Sequence, residues 1–600
     1  MSITSSPTAP GDVSPEPAPR ATEPIIRSGV SWQFRATIGG ALVAVAVFAI
    51  LAYSSRWISD DGLIVVREVR QILAGRGPNY NPFQRDEVDT SALWTWLLAF
   101  AALIFRGDVA VDAVVLGIEC TIAGLLFALG GCFRLQRLRG ATGLLAPAGV
   151  LVPVAVATFW DFASSGLETG LAMLWLGLSW WLLTGITERA GTARMVTAAV
   201  VIGLGPLVRP DFALATAIFG VAGLLLYRPN WRRGLVLSAA GLAIPVGYEI
   251  FRAGYYGILE PMPGLAKEAS DPFVSRGFQY LNDFVGAYQL WIPLALICVI
   301  GTRLLSRGRM DNRATILAAA PVVAGLLLGA YVVWVGGDYM HGRMWVPVVF
   351  VLLLPIMLVP VPNLRSVEAV GVVALLVWAV VAGGWARTSY QGIAFGENGI
   401  TNERSYEAAA YQDHDPTTSA SRTRDNTLLP TLARFTTNGR ILVMSAGTAA
   451  NGSLWTIRLA ADVPDRSGFF YDNMGITDEV VPLDGTVVDV NGLATPLAGH
   501  LQLTQRGRPG HEKWLPAAWV LAEYADPAAV AAMPDTQDVT KAQVAAARHA
   551  LTCGRLKDLM DSVNQPMSAG RFWHNLTGSV SRTSFRIPAD PFAAEREFCG

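Results

Sequence analysis

Charge is what this 600-residue chain has least of: only 16% of its residues are Asp, Glu, Lys or Arg, where soluble proteins carry about 25%. With 52% hydrophobic residues alongside, that deficit excludes an ordinary water-soluble globule and points to a bilayer. A surplus of either sign is missing too. The 46 basic and 47 acidic residues leave a net charge of −1 and a pI near 6.6, so there is no basic field to hold nucleic acid. Cysteine is sparse, at five residues. Cys120, Cys132 and Cys298 fall inside apolar segments, where a free thiol acts as small filler. Cys553 and Cys599 form an even pair in a polar region, expected as a disulfide if that region lies in an oxidising compartment. A cleavable signal is also lacking, because the first apolar run, from Ala36 to Tyr53, is too long and no A-x-A site follows it.

The charge that is present is uneven. From Trp385 onward 42 of 216 residues are charged, against 51 of the first 384. The expected organisation is a disordered cytoplasmic lead (1–35), a membrane region (36–384, with a first outer loop over 55–108) and an extracytoplasmic domain (385–600). After the first span, apolar segments recur at about 109–132, 141–160, 169–185, 194–208, 212–227, 234–251, 285–302, 314–335, 344–361 and 366–384. Together they predict a polytopic α-helical membrane protein with about eleven transmembrane helices. Arginine clusters at Arg134/Arg137/Arg139, Arg189/Arg194, Arg228/Arg232/Arg233 and Arg303/Arg307/Arg309/Arg313 mark the cytoplasmic loops. Ser91 to Phe105 is apolar but short, and parity with those clusters places it in the outer leaflet without crossing. The final region has short β-like runs (Ile441 to Met444, Leu454 to Leu459, Val487 to Val490) and a helical stretch from Thr540 to Leu551, which predict a mixed α/β domain.

Ionisable residues at membrane depth ask for an explanation, and four places at outward helix ends hold them. The first is Asp60-Asp61, followed by Arg67 and by Tyr80-Asn81. Its carboxylates sit beyond a helix end whose dipole does not favour them, so they are either a cap for the next helix or catalytic acids at the membrane face. The second, Ser165-Gly166-Leu167-Glu168, matches a capping box, and Glu168 is also a candidate substrate contact. The third is Arg209-Pro210-Asp211, either an internal ion pair or an arginine for a phosphate. The fourth is Gly336-Gly337-Asp338-Tyr339-Met340-His341-Gly342-Arg343, a tight turn that needs none of its charged groups structurally. Arg343 suits a lipid phosphate there, with Asp338 and His341 toward sugar hydroxyls. Asp60, Asp61 and His341 are also residue types that hold a divalent cation, although no metal-ligand spacing is present and no other cofactor is indicated.

These places, in this order, resemble the GT-C class of polyprenyl-phosphate-dependent glycosyltransferases. The longer strings DDGLIVVREVRQILAGRGPNYNP, SSGLETGL, PLVRPDFAL, GGDYMHGRMWVP, VVDVNGLATPLAGH and GHEKWLPAAW resemble the actinobacterial terminal β-(1→2)-arabinofuranosyltransferase family, AftB, over nearly the whole chain. The resemblance implies a GT-C fold in the plasma membrane with its active site facing the periplasm. It also implies transfer of D-arabinofuranose from decaprenyl-phosphoryl-arabinofuranose to the ends of the arabinan in arabinogalactan and lipoarabinomannan. Asp60 and Asp61 would be the acidic pair, and Arg67, Arg209 and Arg343 would surround the donor phosphate. Donor and product are both β-linked in that family, so the reaction is a net retention; this leaves Asp60 and Asp61 open between base and nucleophile. His511 and Trp514 are candidate acceptor contacts. Two other readings compete: a polyprenyl-phosphomannose-dependent mannosyltransferase with the same donor chemistry, and a lipid-linked sugar transporter. Against the transporter, the chain shows no paired inverted halves and its ionisable residues cluster at one face.

Overall fold

A computed structural model describes residues 1–2, 32–268, 271–307, 311–363, 365–386, 399–410, 413–417, 440–446, 453–464, 468–471, 474–478 and 480–600. Among these, six helices are long and apolar enough to cross a bilayer: Trp32–Ser54 (α1), Val109–Leu138, Pro210–Tyr227, Trp231–Tyr255, Asn312–Val335 and Val367–Trp385. A bent pair, Val274–Tyr288 and Trp291–Arg303, meets at 85° and brings the count to seven if it is one span. Of the eleven spans predicted from hydropathy, six or seven are thus long, apolar helices among the described residues. The other apolar segments are shorter helices, Thr169–Thr184, Thr192–Val208 and Trp345–Ile356, or are broken. Proline breaks the segment 141–160. It starts with the two-residue strand Leu145–Ala146 (β1), passes through a 3₁₀ turn at Ala148–Val150, and becomes two short helices, Leu151–Ala155 and Ala157–Ala163. Pro147 and Pro153 withhold the amide hydrogens a continuous helix would need. The segment 344–361 ends likewise, in the strand Val359–Pro360 (β2), which pairs antiparallel with β1. The backbone carbonyls freed at Pro355 and Leu358 accept from the Cys132 thiol and from Gln136 Nε2, so the break leaves no orphaned acceptor there.

Two packing features set the height of the functional residues. First, glycines allow Val109–Leu138 and Thr169–Thr184 to touch backbone to backbone: a Cβ at Gly170 would meet the Gly117 carbonyl oxygen at 2.2 Å, and one at Gly177 would meet that of Gly124 at 2.4 Å. Any side chain at these positions would lever the helices apart and displace Glu168, which precedes the second helix.

Second, the C-terminal region builds a four-stranded sheet from Ile441–Ala446 (β3), Ser453–Arg458 (β4), Gly468–Tyr471 (β5) and Thr486–Asp489 (β6), in the order β4-β3-β5-β6. β3 is antiparallel to β4 and parallel to β5, and β5 is parallel to β6. Alternate residues point to opposite faces. Leu442, Met444, Phe470 and Val488 join a core with Trp519, Leu521 and Val544 from the C-terminal helices. Val443, Phe469 and Val487 pack with Ile64, Tyr80 and Val88 from the first loop. Ile64 belongs to the helix Asp60–Leu73 (α2), so the sheet is clamped onto the element that carries Asp60 and Asp61. Cys553 and Cys599 are joined in a disulfide.

Candidate active site

Ser59, and not Asp60, caps α2. Its Oγ accepts from the Gly62 amide at 2.9 Å and donates to the Ser165 carbonyl at 3.0 Å, locking the start of α2 to the Ser164–Gly166 stretch. Asp60 and Asp61 therefore occupy the first turn of α2, beside the positive end of its own dipole, which favours both carboxylates. The unfavourable dipole expected from the preceding span does not govern them. Side by side in sequence, they point to different partners. Asp60 Oδ2 accepts from the Gly475 amide at 3.2 Å, in the C-terminal domain. Asp61 lies 3.8 Å from Arg343 Nη1 and 3.5 Å from the Tyr339 hydroxyl.

Arg343 is the hub of the site. Its Nη2 lies 3.3 Å from Glu168 Oε1 and its Nη1 3.3 Å from Asp338 Oδ2. Glu168 also takes Arg209 Nη1 at 2.6 Å, and Arg209 Nε reaches Asp211 at 3.0 Å. The result is a nearly dry chain of alternating charge running Asp211, Arg209, Glu168, Arg343, then Asp338 and Asp61. The capping box expected at Ser165 and Glu168 does not form, because Glu168 makes no cap hydrogen bond and turns to two guanidinium groups. Burial would raise the Glu168 pKa, but Arg343 and Arg209 outweigh it and hold it at about 2. Burial has the upper hand at Asp61 and raises its pKa against the pull of Lys267, Arg343 and Arg508. At Asp338 burial loses, and Arg343, Lys267 and the Tyr339 amide hold the carboxyl below its ordinary value.

The glycine-rich turn is shaped by close approach. Gly337, at φ 71°, lies so near the Tyr280 ring that a Cβ would meet it at 2.3 Å. The Asp338 carbonyl accepts from Arg276 at 2.9 Å and the Met340 carbonyl from the Tyr280 hydroxyl at 2.8 Å. His341 is engaged elsewhere: its Nδ1 is 2.5 Å from Asp283, and the rings of Phe284 and Tyr288 lie tilted beside it. Asp60, Asp61 and His341, residue types that hold a divalent cation, do not form one metal-ligand group among the described residues. Among the described residues, the group with metal-ligand geometry is His549 with Cys553 and Cys599, and those two sulfurs are in the disulfide.

Three other expected contacts are structural. Arg67 is buried and gives its guanidinium to the carbonyls of Tyr80, Val481, Pro482 and Gly485, which ties α2 to the C-terminal domain in place of a phosphate. Tyr80 is fully buried. Asn81 makes a two-way pair with the Val487 backbone, extending the clamp on β6.

A cavity of about 140 Å³ opens beside Arg343, lined by Arg209, Lys267, Asp338, Arg506 and Glu512 among others. Lys267 was not anticipated from the sequence. Its ammonium has no hydrogen bond or ion pair to any described residue, which makes it a cation available to a ligand. The segment 506–512 roofs the site: Arg506 donates to the Lys267 carbonyl at 3.1 Å, Arg508 lies over the Tyr339 ring at 4.2 Å, and His511 meets the same ring edge-on at 5.4 Å. Trp514 is 47% exposed nearby in sequence. The second unanticipated residue is Glu403, the first residue of the helix Glu403–Ala410. Its pKa is pushed well above the ordinary value, first by burial and then by the charge of Asp61.

The family model for the AftB C-terminal domain matches residues 458–595. The terminal β-(1→2)-arabinofuranosyltransferase of Mycobacterium tuberculosis is 33% identical to the chain, over 93% of this chain and 96% of that protein. The chain belongs to the terminal β-(1→2)-arabinofuranosyltransferase family. The Corynebacterium glutamicum enzyme of the same name is 34% identical, over 95% of this chain and 89% of its own length. No solved structure matches the chain significantly. The match to these two relatives covers 93–95% of this chain, and both are named as glycosyltransferases.

Proposed function

We propose that the chain transfers D-arabinofuranose from decaprenyl-phosphoryl-arabinofuranose to the non-reducing ends of arabinan, forming a β-(1→2) linkage at the outer face of the plasma membrane. The observation that carries this reading is the cavity lined by the free Lys267 and the paired Arg343 and Arg209, with the Asp61 carboxylate 3.8 Å from Arg343. A phosphodiester needs cations, and a reacting sugar carbon needs a carboxylate beside them. The cavity is smaller than the roughly 300–1,000 Å³ of typical ligand pockets, which suits a donor that inserts only its sugar–phosphate end and leaves its polyprenyl chain in lipid.

In this reading the chain is a GT-C enzyme, its membrane region ending near residue 384 and residues 385–600 lying outside. Asp61 is the reacting carboxylate and Asp60 positions α2 against the C-terminal domain. Lys267 and Arg343 hold the phosphate, and Arg209 orients Arg343 through their shared Glu168. His511 and Trp514 face the acceptor in water, where an aromatic face suits a sugar. Net retention requires the acceptor oxygen to end on the face the phosphate leaves. Asp61 meets that demand either by attacking first or by delivering a deprotonated hydroxyl to the same face. The test is incubation of purified protein with decaprenyl-phosphoryl-arabinofuranose or polyprenyl-phosphomannose and a synthetic arabinan acceptor. A β-(1→2)-arabinosylated product supports the proposal; transfer of mannose alone overturns it. A 2-fluoro donor that leaves arabinose on Asp61 identifies the carboxylate as nucleophile.

A further inference from the structure

The helix Ala569–Thr583, near the end of the C-terminal domain, has two distinct faces. Phe572, Trp573, Leu576 and Val580 recur at a spacing that puts them on one side, while Asn575, Ser579 and Arg582 are buried on another. Half of the apolar face is used. Phe572 sits against the last turn of Trp231–Tyr255, so close that a Cβ at Gly254 would meet its ring at 2.2 Å. The other half is bare: Trp573 is 62% and Val580 67% exposed. The same spanning helix exposes Val246 and Ile250, about half of each, along its lipid-facing side. The height of the C-terminal helix is fixed by polar ties just past the end of that span. Arg582 Nε donates to the Gly257 carbonyl at 2.9 Å, and the Leu259 amide donates to Thr583 Oγ1 at 2.8 Å.

We propose that the helix Ala569–Thr583 lies in the membrane interface, with Trp573 and Val580 seated among the lipids of the outer leaflet. A tryptophan gains most at the headgroup boundary, where its ring is in apolar surroundings and its N–H stays wet. The helix packs through Phe572 on the end of a spanning helix that itself exposes Val246 and Ile250, which is why lipid, and not a second protein, is the occupant. The consequence is that the C-terminal domain is held down on the bilayer at its far end as well as at α2. The roof over the charged cavity is then set at a fixed distance from the membrane.

This inference rests on the membrane reading of Trp231–Tyr255 and not on the transferase assignment. Nitroxide labels are placed at Trp573→Cys, Val580→Cys, His574→Cys and Ser581→Cys, one at a time in a Cys298→Ala background. The full chain is studied in nanodiscs of phosphatidylcholine and phosphatidylglycerol. A label at Val246→Cys reports the span itself, so a failure of that reading is separable. Labels at 573 and 580 should be several-fold more accessible to oxygen than to a nickel chelate, and those at 574 and 581 the reverse. In unlabelled protein, brominated lipid should quench a fraction of the tryptophan fluorescence that the Trp573→Phe variant loses. Nickel accessibility at all four positions overturns the proposal, as does dipolar broadening at 573 that shows a second copy of the chain covering the face.

Discussion

Replacing Glu168 with Gln tests whether the charged chain is held by its one central carboxylate. Glu168 is almost completely buried and is shared between Arg209 at 2.6 Å and Arg343 at 3.3 Å. Glutamine keeps the volume and one acceptor but removes the charge, which leaves two neighbouring guanidinium groups with only Asp211, Asp338 and the more distant Asp61 as counter-ions. Breaking a buried pair by removing one partner costs about 3–5 kcal/mol. The retained acceptor and the remaining carboxylates put Glu168→Gln at the lower end, about 3 kcal/mol. At about 2 °C per kcal/mol for a large unit, the unfolding midpoint in detergent should fall by about 6 °C, followed by intrinsic fluorescence. A polyprenyl phosphate supplies a negative charge at the same guanidinium groups. It should therefore raise the midpoint of Glu168→Gln by several degrees more than that of the wild type. A variant as stable as the wild type, or one that gains no more from the lipid phosphate, would refute the argument that Glu168 neutralises Arg343 and that Arg343 faces the donor.

Lys267→Met should raise the donor KM about tenfold, equivalent to about 1.4 kcal/mol, with kcat nearly unchanged in a steady-state assay, because only a phosphate contact is lost. Cys553→Ser with Cys599→Ser should destabilise the C-terminal domain by about 2–5 kcal/mol in denaturant unfolding, since the bond closes a loop of sequence separation 46. Asp61→Asn should stabilise the fold at neutral pH while abolishing transfer. A carboxyl whose native pKa is raised keeps its proton longer in the folded state, so its contribution to stability falls as pH rises from about 3.9 through the raised native value. The difference between variant and wild type should vanish below about pH 4, as unfolding across pH will show.

How much of this was legible in the sequence depends on whether the deciding interaction was local. The strands Ile441–Ala446, Ser453–Arg458 and Thr486–Asp489 fall on the short β-like runs at Ile441 to Met444, Leu454 to Leu459 and Val487 to Val490, and the helix Lys541–Ala550 falls on the helical stretch from Thr540 to Leu551. The strand Gly468–Tyr471 gave no such sign, being four residues long with both faces covered. Hydropathy sums were blind to Pro147 and Pro153, so a segment broken into two short helices read as one continuous helix. Glu168 obeyed a local capping rule on paper, but Arg209 and Arg343, 41 and 175 residues away, compete better for its charge. Arg67 read as a phosphate ligand because nothing in the chain marks the carbonyls of Val481 and Gly485 as its partners. Lys267 had one usable signal: it is one of four lysines in the chain, set in the stretch after the candidate span Trp231–Tyr255. Glu403 had none, because its meaning comes from Asp61, more than three hundred residues earlier.

The central claim is that Asp61, 3.8 Å from the cavity-lining Arg343, carries the transfer, while Asp60 serves the packing of α2 on the C-terminal domain. The direct measurement is kcat/KM for arabinofuranose transfer by Asp61→Asn and Asp60→Asn, each purified as a folded protein and each checked for donor binding. Loss of a reacting carboxylate should cost about 4 kcal/mol or more of transition-state stabilisation, a fall of at least about a thousandfold for Asp61→Asn with donor affinity retained. Asp60→Asn should fall by about tenfold or less. Near wild-type transfer by a well-folded Asp61→Asn, or a deeper loss in Asp60→Asn than in Asp61→Asn, would contradict the assignment.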